Sequence, residues 1–237
     1  MTRPRYPSSD GALPPPLPPE TRTVGQLVAE TLHLYGRRFW SVLPLGLGLA
    51  LLGLGPFGLS AFAWLGVLAV AGSLLCAATA TAAAVLVAEA RPPARALLVA
   101  VAAGVVAFVP VWFLVRLFVL PAVAWLALVG LAVPVAVIER TSLTTSLRRA
   151  VQLARADFVH AIGSLAALVV LYFLTRVMLI LLLRGTGDQT ERIAVFLADI
   201  VLGPVLFLGA ALLYYDQAAR VGRGRRPAVV GSGSPSD

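Results

Sequence analysis

The sequence predicts an all-α polytopic membrane protein, with six transmembrane helices and two amphipathic helices in the cytoplasmic interface. Three observations predict this fold class. The 237 residues are 59% hydrophobic and only 13% charged, whereas a soluble domain carries roughly a quarter charged residues. Two runs, 39–88 and 96–138, contain almost no charge and far exceed the roughly 20 apolar residues that cross a bilayer. The arginines concentrate between the apolar runs, where loops are expected.

Residues 1–22 and 221–237 are predicted to be disordered tails. The first is rich in Pro and Ser, the second is basic and rich in Gly and Ser, and neither has an apolar face to bury. The prolines of the first tail also match a polyproline ligand, which is less favoured than a flexible tail. No apolar stretch begins before residue 39, so a cleaved signal peptide is not expected.

The membrane domain is predicted to cover residues 23–220 and to open with an interfacial helix at 23–37. Thr23 and Gln26 have the spacing of a capping box. Apolar side chains then recur at helical spacing on one face, with His33 and Arg37 on the opposite face. Such a helix is expected to lie flat at the membrane surface.

Six apolar segments are predicted to cross the bilayer. The run 39–88 would measure about 75 Å as one helix at 1.5 Å per residue, which suits two crossings. Turn residues cluster at 55–58, where the break is expected. The run 96–138 is divided in the same way, with a tight hairpin near Arg116 and Pro121. The predicted crossings are 39–57, 61–88, 96–115, 118–138, 158–183 and 193–215.

A second interfacial helix is predicted at 142–157, between the fourth and fifth crossings. Its polar face carries Arg148, Arg149 and Arg155. An arginine near an anionic leaflet contributes about 1 kcal/mol of attraction, so these three residues are the candidate contacts to anionic lipid headgroups. The predicted apolar face consists of Leu143, Leu147, Ala150, Val151, Ala154 and Phe158.

Arginine placement predicts the orientation of the chain. With the N-terminus inside, three arginines face outward, Arg176 lies within a crossing, and all others face the cytoplasm. The outward arginines are Arg116, Arg184 and Arg192. The positive-inside rule therefore predicts a multi-pass protein of the inner (plasma) membrane with both termini cytoplasmic. All 19 basic residues are Arg, and both Lys and Asn are absent from the sequence. From this codon bias we expect a GC-rich, bacterial genome.

Several functional classes are disfavoured by the sequence. The net charge of +8 would suggest nucleic acid in a soluble protein, but in a membrane protein it marks cytoplasmic loops. Cys76 is the single cysteine, and no Cys/His cluster has metal-ligand spacing. Protease, Walker and dinucleotide motifs are absent. We therefore expect no enzymatic activity, no cofactor and no nucleic-acid partner.

Arg176 and Asp199 are the candidate intramembrane ion pair. Each lies a similar distance in sequence from the polar loop 184–192, so antiparallel helices would place them at the same depth. An Arg near a helix centre costs about 2.5–3.5 kcal/mol on insertion scales, which favours pairing, with Arg116 or Tyr172 as further neighbours. The pair could line a substrate or ion path, or it could only lock two helices together; the second interpretation is favoured. Nearer the C-terminus, Asp216 and Arg220 have the spacing of an ion pair within one helix.

Three stretches resemble a known family. They are TVGQLVAETLHLYGRRFW at 23–40, PVAVIERTSLTTSLRRAVQLARADF at 134–158 and LYYDQAAR at 213–220. Together they resemble the integral membrane domain found beside glycerophosphodiester phosphodiesterases, which also occurs alone in bacterial membrane proteins. One departure is Ala218, where the family often has a basic residue. The resemblance implies a multi-span module without an assigned activity.

The function predicted from the sequence is a non-enzymatic membrane module that organises lipids or partner proteins at the cytoplasmic face. Anionic lipid headgroups are its predicted partners, and protein partners are not identified. The alternative is a small-molecule or lipid transporter that uses the Arg176–Asp199 region. The alternative requires a polar cavity that reaches this depth from one side of the membrane.

Overall fold

The computed structural model describes residues 19–55, 58–184 and 187–224, and these residues form helices without any strand. Most of the predicted tails, residues 1–18 and 225–237, lies outside the described residues. Residues Pro19–Thr21 form a 3-10 turn. The helices of the described ranges are α1 Val24–Arg37, α2 Phe39–Gly53, α3 Ala61–Ala88, α4 Ala94–Leu117, α5 Val119–Ile138, α6 Leu143–Ala156, α7 Phe158–Leu182 and α8 Asp188–Gly224.

Five helices of the described ranges are long and apolar enough to cross a membrane: α3, α4, α5, α7 and α8. The all-α class is therefore confirmed, and the helix lengths are compatible with a membrane protein. The first predicted crossing, 39–57, corresponds to α2, which is shorter, about 22 Å at 1.5 Å per residue. Pro44 lies in a 3-10 turn at Leu43–Gly46 that divides α2, because proline has no N–H for the helical ladder. Residues 56 and 57 of this segment lie outside the described residues.

The helices run between two ends of the bundle. We call the end with Arg38 and Glu89 the near end, and the opposite end, with Ala61 and Arg116, the far end. At the near end, Arg38 before α2 pairs with Glu89 after α3. At the far end, the guanidinium of Arg116 in α4 donates to the backbone carbonyl of Ala61 at 3.5 Å. The chain between Arg38 and Ala61 therefore connects the near end to the far end.

Helices α2 and α8 pack with their backbones in contact. A Cβ atom added to Gly46 would overlap the backbone of Ile200, and one added to Gly203 would lie 2.9 Å from the Cα atom of Gly46. Val42 and Leu45 of α2 share a buried cluster with Leu208 of α8. Small residues permit this close approach in membrane helices, so the two helices form an antiparallel pair without side chains between them at Gly46.

Helices α1 and α6 occupy the two segments predicted as interfacial helices, and both pack against the near end. The capping box of α1 is present, since Thr23 and Gln26 exchange side-chain to backbone hydrogen bonds. In α1 the buried residues are Leu27 and Thr31. Leu27 belongs to the same buried cluster as Leu153 of α6. These contacts join both helices to the bundle core.

The buried side of α6 agrees in part with the predicted apolar face, since Ala150 and Ala154 are buried and Leu143 and Leu147 pack against the core cluster. Its buried residues are Ser146, Ala150, Leu153 and Ala154. Ser146 is polar and buried. Its hydroxyl lies 2.8 Å from the hydroxyl of Thr141, and this hydrogen bond satisfies it. Phe158 was expected on this face but is 37% exposed. The reason is that α6 ends at Ala156, and the backbone break at Asp157 starts a new helix with a different rotational phase.

The remaining crossings follow the sequence closely except at the ends of α8. Helices α4 and α5 are separated by Phe118 alone, in extended conformation, which forms the tight hairpin expected near Arg116. Helix α8 covers Asp188–Gly224 and so is longer than the predicted crossing 193–215. Part of the polar loop 184–192 and the residues 221–224 assigned to the tail are therefore helical.

Candidate functional site

The structure brings Arg176 and Asp199 together near the far end. Arg176 Nη1 lies 3.0 Å from Asp199 Oδ2 and donates to the hydroxyl of Tyr172 at 3.0 Å. The Tyr172 hydroxyl in turn donates to Asp199 Oδ1 at 2.7 Å. Oδ1 therefore accepts a hydrogen bond from Tyr172, whereas Oδ2 has the guanidinium of Arg176 as its charged partner and accepts no hydrogen bond from the described residues. The three side chains form a closed triangle.

The positions of these residues follow from helix geometry. Tyr172 and Arg176 are one turn apart on α7, so their side chains share a face, and Asp199 faces them from α8. The Asp199 side chain is fully buried, whereas the Arg176 side chain is 24% exposed. A buried carboxylate requires a charged partner and hydrogen bonds, and the triangle supplies the charge of Arg176 and the hydrogen bond from Tyr172. Arg116, the other expected neighbour, instead contacts Ala61.

Gly53 at the end of α2 completes this site and was not identified from the sequence. A Cβ atom at this position would lie 2.5 Å from Asp199 Oδ2 and 3.4 Å from Arg176 Nη2. The carboxylate therefore occupies the space that any larger residue would need. The segment around Gly53 is rich in small residues, but composition alone does not show which glycine touches a charged group.

An apolar cavity of about 460 Å³ begins at this site. Its walls come from α2, α3, α4, α5, α7 and α8, and Tyr172, Arg176 and Gly53 lie among the lining residues. Val115, Val119 and Phe173 line the cavity and are also 38–48% exposed. The cavity therefore reaches the outer surface of the bundle between α4, α5 and α7, where hydrocarbon is expected in a membrane.

A second cavity, of about 470 Å³, lies on the far-end side of the pair. Its lining combines three charged residues, Arg176, Glu191 and Arg192, with apolar residues and glycines. Arg192 is exposed and Glu191 is partly exposed. Arg176 and Gly53 line both cavities, so the two spaces meet at the ion pair.

The three arginines of α6 have different surroundings. Arg148 and Arg155 are exposed. Arg149 is partly buried, and its Nε atom lies 3.3 Å from Glu139 Oε1. Glu139 also accepts a hydrogen bond from the hydroxyl of Tyr214 at 3.0 Å. Arg149 therefore helps to attach α6 to α5 and α8, which leaves Arg148 and Arg155 as the arginines of this helix that face outward.

A polar cluster at the near end joins α1, α7 and α8. The guanidinium of Arg22 donates to Asp216 Oδ1 at 2.8 Å, and that of Arg220 donates to Asp157 Oδ2 at 2.6 Å and to the carbonyl of Arg22 at 2.8 Å. Asp216 and Arg220 thus form ion pairs with residues distant in sequence, rather than the expected pair with each other. His160 Nε2 lies 3.5 Å from Asp216 Oδ2. Spacing within one helix could not reveal these long-range partners.

Within the described ranges, no group of three or more His, Cys, Asp or Glu side chains is arranged to hold a metal ion. Cys76 is buried in α3. In comparisons with family models, curated proteins and solved structures, the chain matches none of them.

Proposed function

We propose that this chain is a non-enzymatic integral membrane protein that binds an amphipathic molecule between its helices, at the Arg176–Asp199 pair. Binding at this depth is the first step that a small-molecule or lipid transporter requires. The resemblance to the integral membrane domain associated with glycerophosphodiester phosphodiesterases stays a prediction, and it is compatible with such a role.

The observation that carries the proposal is the junction of two cavities at one ion pair. The volumes, about 460 and 470 Å³, fall within the roughly 300–1,000 Å³ of small-molecule sites. One cavity is lined mostly by apolar side chains, the other has three charged side chains in its lining, and Arg176 belongs to both. Ionisable residues inside membrane bundles mark ligand or ion paths in many proteins. A molecule with an apolar part and a polar part matches this pair of spaces.

The proposal is tested by purifying the protein from membranes and identifying bound amphiphiles by native mass spectrometry. Val119→Trp places a large ring at the mouth of the apolar cavity, where the side chain is already 38% exposed. Val170→Trp is the matched control, because Val170 is 61% exposed and lies on α7 outside both cavities. We expect wild type and Val170→Trp to retain bound amphiphile and Val119→Trp to lose it. Equal occupancy in all three proteins would contradict the assignment of the cavity as the site.

A second candidate function is the organisation of anionic lipids, or of partner proteins, at the near end. The observation that favours it is the exposure of Arg148 and Arg155 on α6, opposite its buried face. Reconstitution in neutral and in anionic nanodiscs tests it. Anionic lipid should raise the Tm of wild type, and Arg148→Gln with Arg155→Gln should reduce that gain. Arg149→Gln is the control, since loss of its contact with Glu139 should lower the Tm in both lipids alike.

We also propose that α2 completes a sixth crossing and that the near end faces the cytoplasm of a bacterial inner membrane. The direction of the chain from Arg38 to Ala61 and the arginine count support this topology. Single-cysteine labelling in intact cells tests it, with Cys76 replaced by Ala. A cysteine at Ser60 should react with an impermeant maleimide, and one at Arg91 should not. Labelling of Arg91→Cys from outside would reverse the orientation.

A further inference from the structure

We infer that the ligand is an anionic amphiphile, whose acidic head group lies between Arg176 and Arg192 and whose hydrocarbon chain fills the apolar cavity. This inference rests on the proposed function and assigns the chemical class of its ligand. The shared chemistry is an oxyanion on a long alkyl chain, which a fatty acid carboxylate and a lipid phosphate both provide.

The apolar cavity accounts for the hydrocarbon part. An engineered apolar cavity of about 150 Å³ stays dry and binds benzene, and the cavity here is about three times larger, at 460 Å³. Such a volume suits a chain better than a single ring. The exposed lining residues Val115, Val119 and Phe173 give the chain a lateral entrance from the bilayer. An apolar tail then has a continuous path from lipid to the ion pair.

The guanidinium of Arg176 accounts for the head group. Its Nη1 atom is engaged by Asp199 and by the hydroxyl of Tyr172. The Arg176 side chain is 24% exposed and lines the polar cavity. Asp199 is fully buried behind it, enclosed by Tyr172 and Gly53. The site therefore presents the positive partner of the pair to a ligand and withholds the negative one.

The charges of the polar cavity favour an anion over a cation. Arg176 and Arg192 line this space together with Glu191, and Asp199 is enclosed. Two guanidinium groups and one accessible carboxylate thus face the cavity among the described residues. A cationic head would meet two like charges, whereas an oxyanion could accept charge-assisted hydrogen bonds from both arginines.

Four probes that share one chain length test the assignment: stearate, octadecyl phosphate, octadecanol and octadecylamine, each brominated in mid-chain. Bromine quenches nearby tryptophan, and Trp64 and Trp112 line the apolar cavity. Trp40, which is 81% exposed, and Trp125 are replaced by Phe, and saturable quenching of the other two then reports an occupied cavity. The full-length protein is held in neutral nanodiscs and titrated with each probe. We expect at least one of the two acids to half-saturate at a concentration about tenfold lower than the alcohol, as for hydrogen bonds to charged groups. The amine should bind more weakly than the alcohol.

Arg192→Gln should reduce the preference for the acid about threefold, the size expected for an exposed charge. Arg192 is exposed, so this variant should fold. Arg184→Gln is the matched control, because Arg184 is an exposed far-end arginine outside both cavities. Equal binding of acids and alcohol to wild type would overturn the anionic head group and leave amphiphile binding intact. Equal effects of the two arginine variants would also overturn it, whereas no quenching by any probe would refute the proposed function itself.

Discussion

The energy of the Arg176–Asp199 pair can be measured with a double-mutant cycle of Arg176→Gln and Asp199→Asn. Arg176→Gln leaves the carboxylate of Asp199, which is fully buried, with Tyr172 as its remaining donor. Breaking a buried ion pair from one side costs about 3–5 kcal/mol. Asp199→Asn leaves a guanidinium that is 24% exposed and borders a polar cavity, where water can solvate it. We therefore expect a smaller cost, about 1–3 kcal/mol.

The double variant should cost less than the sum of the two single variants, because neither charge is left alone. We expect a coupling energy of at least about 1 kcal/mol. The Tm in detergent can be followed with a thiol-reactive fluorogenic maleimide, since Cys76 is the single cysteine of the chain and is 3% exposed. For a chain of this size 1 kcal/mol corresponds to about 2–4 °C, so Arg176→Gln should lower the Tm by about 6–20 °C. Additive losses in the cycle would refute the claim that the two side chains stabilise each other.

Three further predictions concern backbone contacts and the near end. Gly46→Ala should lower the Tm by several degrees, because its methyl group would overlap the backbone of α8. Gly66→Ala is the control, since nothing lies within 4 Å of its added Cβ atom. Equal Tm values for the two variants would contradict the close packing of α2 and α8. Gly53→Ala should lower the Tm in wild type but much less in Asp199→Ala combined with Arg176→Ala, because the two side-chain groups that its methyl group would contact are then absent. Arg22→Gln removes the 2.8 Å contact with buried Asp216, so hydrogen exchange of α1 amides should become about tenfold faster while α4 amides keep their rates. Unchanged exchange in α1 would show that the Arg22 contact does not hold the helix.

The sequence allowed the helices to be predicted because long apolar runs leave few alternatives to α-helix in a membrane. The sequence also predicted Arg176 and Asp199 at the same depth, since the number of residues from the polar loop 184–192 to each of them is similar. Pro44 was visible in the sequence as a residue that disturbs a helix, but the length of α2 depends on where its backbone meets α8. That contact is a property of the packed bundle.

Which side of each helix is buried in the bundle could not be predicted in the same way. In water, an apolar stripe identifies the buried side of a helix, but in lipid both the buried and the exposed sides are apolar. The cavities at Arg176 depend on which helix sides are buried, so no pattern in the sequence revealed them. The near-end partners of Asp216 and Arg220 come from α1 and from the start of α7, and such long-range pairs need the tertiary arrangement. Phe158 left the predicted face of α6 because this helix ends at Ala156 and the next begins at Phe158.

The glycine contact between α2 and α8 has a consequence for biogenesis. Gly46 and Gly203 are separated by most of the chain, so a ribosome adding about 5–20 residues per second needs roughly 8–30 s to make the second after the first. During that interval α2, short and interrupted at Pro44, has no α8 to pack against. The close contact of α2 with α8, like the Arg176–Asp199 site, can therefore form only after α8 has been synthesised.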